Sequence, residues 1–164
     1  MKKQKEIFIP YGRQNITQKD IDCVVKVLKS PMITQGPVVS IFENKIAKKV
    51  EVKNVVAVNS ATSALHIACL ALGLGKNDWL WTSSITFVAS ANCGLYCKAN
   101  IDFVDINPLT GLISIEALKI KLKKAETQGK LPKVLIPVHL AGASCDMKSI
   151  GELAKQYKFS VIED

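Results

Sequence analysis

The feature that most constrains the fold is a regular alternation of short apolar segments with helix-type segments between residues 55 and 162. Apolar segments of this length suit strands that are buried on both faces of a sheet. They cover 55–58, 79–82, 101–104, 134–138 and 159–162, and the helix-type segments between them cover 63–72, 89–95, 115–125 and 147–157. Strands that alternate with helices predict an α/β fold with a mainly parallel sheet covered by helices.

Two helices are predicted ahead of this alternation. Thr17 is placed to cap the first, in which Asp20 lies in the first turn, and Ser30-Pro31 ends it. A turn at Thr34–Gly36 follows, and Pro37 is placed to begin the second helix. Proline suits this position because the first residue of a helix has no intrahelical acceptor for its N–H, and proline has no N–H. The sequence contains no internal repeat and no linker, so we expect a single domain.

The most informative local pattern is the predicted strand Val55–Val58, which runs directly into the helix start Asn59–Ser63. A helix start offers unpaired amides and the positive end of the helix dipole, and here it also offers hydroxyls and small side chains. A phosphate would fit this position. Capping of a core helix by Asn59 or Ser60 is the commoner use of such residues, and it is the favoured interpretation of this stretch alone. The helix itself is apolar on nearly every side, so we expect it to be buried.

The formal net charge of +8 would attract a polyanion, a phosphorylated small molecule or an acidic membrane surface. Lysine supplies all but one of the 22 basic residues, and its densest group lies between residues 119 and 133, on and after a helix. The apolar residues of that helix, Leu118, Leu122 and Ala125, fall on one face. Because the lysines have no interleaved aromatics and no arginine for base contacts, a solvated helix face is predicted and no nucleic-acid partner.

Other patterns exclude further classes of site. No apolar run is long enough to span a membrane and the first residues lack a signal-peptide core, so we expect a cytoplasmic chain without a membrane partner. The five cysteines are odd in number and lie mostly in apolar contexts, which indicates reduced core thiols. His66 and His139 are far apart without clustered ligands, so no metal site is expected and His66 should pack in the core or at its rim. Gly73-Leu74-Gly75 follows a helix and lacks the third glycine of a dinucleotide fingerprint.

Several short motifs occur in the order and rough spacing found in sugar aminotransferases. They are Ile9–Gly12, Thr34–Gly36, Asn59–Leu65, Thr86–Ala89, Phe103–Ile106, Ile136–Gly142 and Val161–Asp164. On these motifs the chain resembles the DegT/DnrJ/EryC1/StrS family of pyridoxal 5'-phosphate (PLP) enzymes, of fold type I, and is similar to those that aminate 4-keto-6-deoxy UDP-sugars. The resemblance implies that residues 1–164 are the amino-terminal part of the large PLP-binding domain, and that the rest of that domain and a small carboxy-terminal domain are absent from this chain.

The resemblance also implies roles for individual residues. Ala61 and Thr62 would hold the cofactor phosphate through amides and a hydroxyl, and Phe87 would stack on the pyridine ring. Asp164 would pair with the ring nitrogen and keep it protonated, so that the cofactor can act as an electron sink. His139 would lie near the edge of the cofactor, and Tyr11 would approach the substrate.

Three of these residues also have interpretations that need no cofactor. A lone aromatic residue such as Phe87 usually packs in a core. Asp164 alone would be a helix cap or a strand-end charge, and His139 is as well suited to a structural hydrogen bond. The segment Trp79-Leu80-Trp81 departs from the family, which more often has an acidic residue followed by aliphatics, and this departure concerns local packing rather than chemistry.

The main departure from the family is the lysine that forms the Schiff base with PLP, which belongs to a stretch beyond Asp164. The chain alone is therefore expected not to catalyse transamination. As the first part of a longer protein, it would transfer an amino group, with glutamate as the expected donor, to a keto group of a nucleotide-linked deoxysugar. The products would feed surface polysaccharide or glycan synthesis.

Two alternatives stay open at this point. One is a non-catalytic product, either a truncated or split fragment or a binding module that kept half of the site. The other is a related sugar dehydratase, which uses the cofactor with a histidine in place of the lysine. A homodimer in which each site is completed by the neighbour is implied by the resemblance only.

Overall fold

The computed structural model describes Pro10 and residues 12–164, and these form two compact units that meet in sequence between Ala57 and Val58. The predicted site residue Tyr11 lies outside the described residues, as does Ile9 of the same motif. No helix in the described ranges is long and apolar enough to cross a membrane.

The first unit contains two helices, α1 (Gln18–Leu28) and α2 (Pro37–Val50). The predicted start of α1 is confirmed, because the Thr17 N–H donates to Asp20 Oδ2 at 2.7 Å. Pro37 is the first residue of α2, also as predicted. Neither helix buries a single residue, and most apolar side chains of both are exposed, whereas Val27, Ile46 and Ala47 are half-buried.

The predicted strand Val55–Val58 is wrong. Residues 54–58 form no strand, and Val56 is 75% exposed. The Ala57 N–H donates to Glu43 Oε1 of α2 at 2.9 Å rather than to a neighbouring strand. A strand needs a backbone partner as well as an apolar sequence, and no described strand pairs with this segment.

The second unit is built on a four-stranded parallel sheet with the order β2-β1-β3-β4. The strands are β1 (Trp79–Ser83), β2 (Asn100–Val104), β3 (Val134–Ile136) and β4 (Ser160–Val161). The other four predicted strands and the α/β class are thereby confirmed, with shorter bounds for the last two. β3 stops short of its predicted end at Pro137, which has no N–H and so leaves out one bond of the ladder.

Helices cover both faces of this sheet. They are α3 (Ala61–Ala71), α4 (Ala89–Tyr96), α5 (Ile115–Gln128) and α6 (Met147–Tyr157). Leu80 of β1 belongs to a core cluster with residues of α3 and α4, whereas its neighbour Trp81 belongs to a second cluster with residues of α5 and α6. Successive strand residues point to opposite faces, so α3 and α4 cover one face and α5 and α6 cover the other.

The expectation that α3 is buried all round is wrong. Only Leu65 and Cys69 are buried, and Ile67 and Leu70 are about half exposed. A helix on a sheet buries one stripe, whatever the polarity of its other faces. The lysine-rich helix α5 behaves as predicted, since Leu118, Leu122 and Ala125 are its buried residues and most of its lysines face solvent.

Both tryptophans of Trp79-Leu80-Trp81 take part in the packing between the sheet and α5. Trp81 is 1% exposed, and Lys121 Nζ lies 5.0 Å from the centroid of its ring while pairing with Asp102 at 2.6 Å. Of the five cysteines, four are buried as predicted, but Cys23 on α1 is exposed. The expectation of core thiols is therefore wrong for Cys23.

Candidate active site

The carboxyl ends of parallel strands meet at one edge of a sheet, and open α/β folds bind ligands there. Phe87 and Ser90 follow β1, His139 follows β3, and Asp164 follows β4. This edge therefore collects three of the residues that the sequence singled out, together with a serine that it did not.

Asp164 is anchored by backbone hydrogen bonds that continue the pairing of β3 and β4 beyond the strands. The Ile162 N–H donates to the Leu135 carbonyl at 3.0 Å, and the Asp164 N–H donates to the Pro137 carbonyl at 3.1 Å. The His139 N–H donates in turn to the Asp164 carbonyl at 2.8 Å. The side chain of Asp164 consequently starts from a backbone position that the sheet fixes.

The carboxylate of Asp164 accepts a hydrogen bond from a buried serine on α4. Ser90 Oγ donates to Asp164 Oδ2 at 2.5 Å, and Ser90 is 0% exposed. Ser90 Oγ also lies 2.6 Å from Thr86 Oγ1. Among the described residues, no donor reaches the other carboxylate oxygen, Oδ1, and no cation pairs with Asp164. The carboxylate thus keeps acceptor capacity for a further partner.

Phe87 lies between β1 and α4, and the residue is 75% exposed. The interpretation of Phe87 as a core residue is therefore wrong. Its carbonyl is 3.1 Å from Ser90 Oγ, so Phe87 and Asp164 border the same small network. An exposed ring at this edge is available to stack on a flat ligand.

The start of α3 shows that capping and anion binding do not exclude each other. Ser60 Oγ accepts from the Ser63 N–H at 3.2 Å, which confirms Ser60 as the cap. The N–H groups of Ala61 and Thr62 have no acceptor in the described part of the chain. Ala61 is exposed and Thr62 is half-buried, so two amides and a hydroxyl remain free to bind an anion.

α3 and α4 pack against each other on the face of the sheet next to Asp164. The Sγ atoms of Cys69 and Cys93 are 3.7 Å apart, and the rings of His66 and Tyr96 meet edge to face at 5.3 Å. His66 is half-buried, as expected for a rim residue. The described hydrogen bonds do not connect Ala61 or Thr62 with Asp164, so the two parts of the candidate site are joined through the packing of these helices.

His139 has structural hydrogen bonds at both ring nitrogens. Nδ1 accepts from the Cys145 N–H at 3.1 Å, and Nε2 lies 2.9 Å from Glu163 Oε2. The ring thereby links the turn after β3 to the residue that precedes Asp164. The interpretation of His139 as a structural hydrogen-bonding residue is confirmed, and its proximity to a cofactor stays a prediction.

Sequence reasoning missed Ser90 and Thr86 as members of the site. The available signal was two hydroxyl residues four positions apart, the second flanked by two alanines at the start of a helix. Residues at this spacing lie on the same side of a helix, and a serine among small apolar residues is a candidate for burial. The partner of Ser90 is 74 residues away in sequence, which no local pattern could indicate.

Comparison with curated proteins gives relatives that are named as an amino-sugar transaminase and as a polysaccharide biosynthesis protein. The UDP-4-amino-4,6-dideoxy-N-acetyl-beta-L-altrosamine transaminase of Campylobacter jejuni (subsp. jejuni serotype O:23/36, strain 81-176) is 39% identical over 156 residues, which cover 95% of this chain and 40% of the relative. The spore coat polysaccharide biosynthesis protein SpsC of Bacillus subtilis (strain 168) is 37% identical over 164 residues, with 100% of this chain and 41% of the relative covered. The chain spans about two fifths of the length of these curated relatives.

Solved structures share the architecture described above. Helicobacter pylori PseC, an aminotransferase involved in the biosynthesis of pseudoaminic acid, superposes with a TM-score of 0.83 at 28% identity, covering 94% of this chain and 40% of PseC. A DegT DnrJ EryC1 StrS aminotransferase from Brucella abortus superposes with a TM-score of 0.84 at 29% identity, covering 88% of this chain and 39% of that structure. The model of the DegT/DnrJ/EryC1/StrS aminotransferase family matches residues 14–164, and the chain therefore belongs to that family.

Proposed function

We propose that this chain is the cofactor-binding part of a PLP-dependent aminotransferase that moves an amino group from glutamate to a keto group of a nucleotide-linked deoxysugar. The relatives support this substrate class, since one is named for a UDP-linked amino sugar and another for polysaccharide biosynthesis. Because the chain spans about two fifths of their length, the proposal concerns the full-length protein.

The observation that carries the proposal is the state of the Asp164 carboxylate. It lies at the carboxyl edge of the sheet with one oxygen bound by Ser90 and the other free of described donors. A carboxylate in this state can accept the N–H of a protonated pyridine ring, and its negative charge favours that protonated form. The exposed ring of Phe87 beside the same network offers a surface for the face of the pyridine.

The start of α3 supplies donors that suit the phosphate group. The free amides of Ala61 and Thr62 and the Thr62 hydroxyl are neutral donors, and the helix dipole favours a negative charge at this end. The available groups thus match the phosphate, the ring face and the ring nitrogen of PLP. When bound, PLP supplies an electron sink for the charge that develops while an amino group is transferred.

The roles that follow for the protein are binding and orientation. Asp164 would hold the proton at the ring nitrogen, and Phe87 would exclude water from one face of the ring. The amides of Ala61 and Thr62 would fix the opposite end of the cofactor. We propose that the lysine that links PLP covalently lies in sequence beyond Asp164, so that the 164-residue chain alone would bind PLP reversibly and would not catalyse transamination.

The test uses the full-length protein. Incubation with PLP should give an absorption band that borohydride reduces, and the protein should aminate a UDP-linked 4-keto-6-deoxy-N-acetylhexosamine with glutamate as donor. Asp164→Asn should lower the rate at least about a hundredfold, because the ring nitrogen loses its charged partner. Asp146→Asn, which changes an exposed cap residue of α6, is the matched control and should stay within about twofold of wild type.

Three outcomes would contradict the proposal or redirect it. Full activity in Asp164→Asn would contradict the role of the carboxylate. Cofactor binding without a reducible band would indicate the related sugar dehydratases, and failure of the full-length protein to bind PLP would indicate a non-catalytic product. Assembly as a homodimer and location in the cytoplasm stay predictions, which size-exclusion chromatography with light scattering and cell fractionation would test.

A further inference from the structure

We propose that Ser90 is a positioning residue, which holds the Asp164 carboxylate so that its free oxygen is presented to the ring nitrogen of the cofactor. Thr86 in turn keeps the Ser90 hydroxyl in its donating orientation. The inference rests on the proposed function. It concerns a residue that touches Asp164 and acts through it.

The first step is a count of hydroxyl protons. Ser90 has one, and two acceptors lie within reach of it: Asp164 Oδ2 at 2.5 Å and the Phe87 carbonyl at 3.1 Å. The shorter contact, to a charged group, takes the proton, so the oxygen of Ser90 can only accept. Its donor is Thr86 Oγ1 at 2.6 Å, a shorter contact than the 3.3 Å from Thr86 Oγ1 to the Phe87 carbonyl. The result is a chain from Thr86 to Ser90 to Asp164 in which each hydroxyl polarises the next, and such chains strengthen the terminal bond to a charged group.

The second step concerns rigidity. Ser90 is fully buried in the first turn of α4, and the backbone of Asp164 is bonded to the turn after β3. Both ends of the Ser90–Asp164 bond are thus fixed by regular structure, so the bond sets the orientation of the carboxylate. With Oδ2 occupied by Ser90, Oδ1 is the oxygen that remains for a ligand.

Few other titratable groups lie around Asp164. Cys93 on α4 is the nearest on that helix, and its pKa is lowered by the hydrogen bond from Cys69, against opposing effects of burial and of the Asp164 charge. His139 and Glu163 pair with each other at the end of β3 and β4. None of the three hydrogen bonds to the Asp164 carboxylate, so Ser90 is its described donor.

The experiment measures PLP affinity in the full-length protein. Ser90→Ala should weaken PLP binding about tenfold, since a hydrogen bond to a charged group is lost. Ser90→Thr keeps the hydroxyl and should stay within about threefold of wild type. Thr86→Val should weaken PLP binding in the same way, but less than Ser90→Ala does.

The matched control is Ser149→Ala. Ser149 also lies in the first turn of a helix, and its Oγ donates to an aspartate carboxylate, Asp146 Oδ2, at 2.7 Å. This variant loses the same kind of bond away from the site, so PLP affinity should not change.

Two results would overturn the inference. One is a Ser90→Ala protein that binds PLP as tightly as wild type does. The other is equal impairment of Ser90→Ala and Ser90→Thr, which would mean that Ser90 only packs. Failure of the wild-type protein to bind PLP would instead contradict the proposed function, so the two failures are distinguishable.

Discussion

Gly94 is where α4 approaches the sheet most closely, and Gly94→Ala tests that approach. A Cβ at this position would overlap Ile101 Cδ1 and would lie 3.1 Å from Leu80 Cδ1 and 3.2 Å from Leu80 Cβ. The Ile101 methyl group is the end of a flexible side chain and can move aside. Leu80 Cβ belongs to the central strand β1 and cannot, so α4 itself must shift.

The expected magnitude follows from two opposing effects. Alanine is favoured over glycine inside a helix by about 1 kcal/mol, and an extra methyl group in a packed core costs about 1–3 kcal/mol. The net change for Gly94→Ala is therefore a loss of about 1 kcal/mol of unfolding free energy. Gly151→Ala on α6 is the matched comparison, because nothing lies within 4 Å of its added Cβ. It should gain about 0.5–1 kcal/mol.

Calorimetric unfolding midpoints of the full-length protein without cofactor would measure both variants. Gly94→Ala should lower the midpoint and Gly151→Ala should raise it, each by a few degrees (about 2–4 °C per kcal/mol for a domain of this size). Because Ser90 lies one turn before Gly94, a shifted α4 should also weaken PLP binding in Gly94→Ala alone. Equal rises in both midpoints would refute the close packing of α4 on β1.

Three further predictions concern the same unit and α1. The Lys133 hydrogen bond lowers the pKa of Asp78, so the carboxylate stabilises the fold above its unfolded pKa of about 4, and this contribution is lost as the pH falls through the lowered folded value. Asp78→Asn should therefore lower the unfolding free energy by less than about 1 kcal/mol at pH 7. In acid denaturation curves the difference from wild type should vanish, and a difference that stays constant with pH would contradict the ion pair. In denaturant titrations, Ser60→Ala should lower the unfolding free energy by about 1 kcal/mol, whereas Ser60→Asn should not because asparagine also caps helices. Equal losses of unfolding free energy in the two variants would contradict the cap. Alkylation followed by peptide mapping should label exposed Cys23 in the folded protein and Cys97 only after unfolding, because burial raises the pKa of Cys97, and equal rates would contradict its burial.

The sequence predicted those parts of the fold that local pattern determines. Residues 79–82 and 101–104 became strands because their partners lie in the described sheet, whereas Val55–Val58 has the same apolar character and no described partner. The buried stripe of α5 was readable from its spacing. The exposure of Ile67 on α3 was not, because it depends on what packs against that side of the helix.

The candidate site was predictable in part for a similar reason. Asp164 and Phe87 were singled out by resemblance, and the sheet topology explains why both reach one edge. The Ser90–Asp164 bond joins a helix start to a strand end, and it exists only after β1 and β4 have taken their places on either side of β3.

The anchoring of Asp164 to the sheet implies that the two ends of the candidate site open at different rates. The Asp164 amide is bonded to the Pro137 carbonyl, so it can exchange its hydrogen for deuterium only when the pairing beyond β3 breaks. The amides of Ala61 and Thr62 have no such protection and should exchange almost at once. A bound coenzyme would contact a slowly exchanging segment at its ring and a rapidly exchanging helix start at its phosphate. Coenzyme binding should therefore slow deuterium uptake mainly at the amides of the phosphate end.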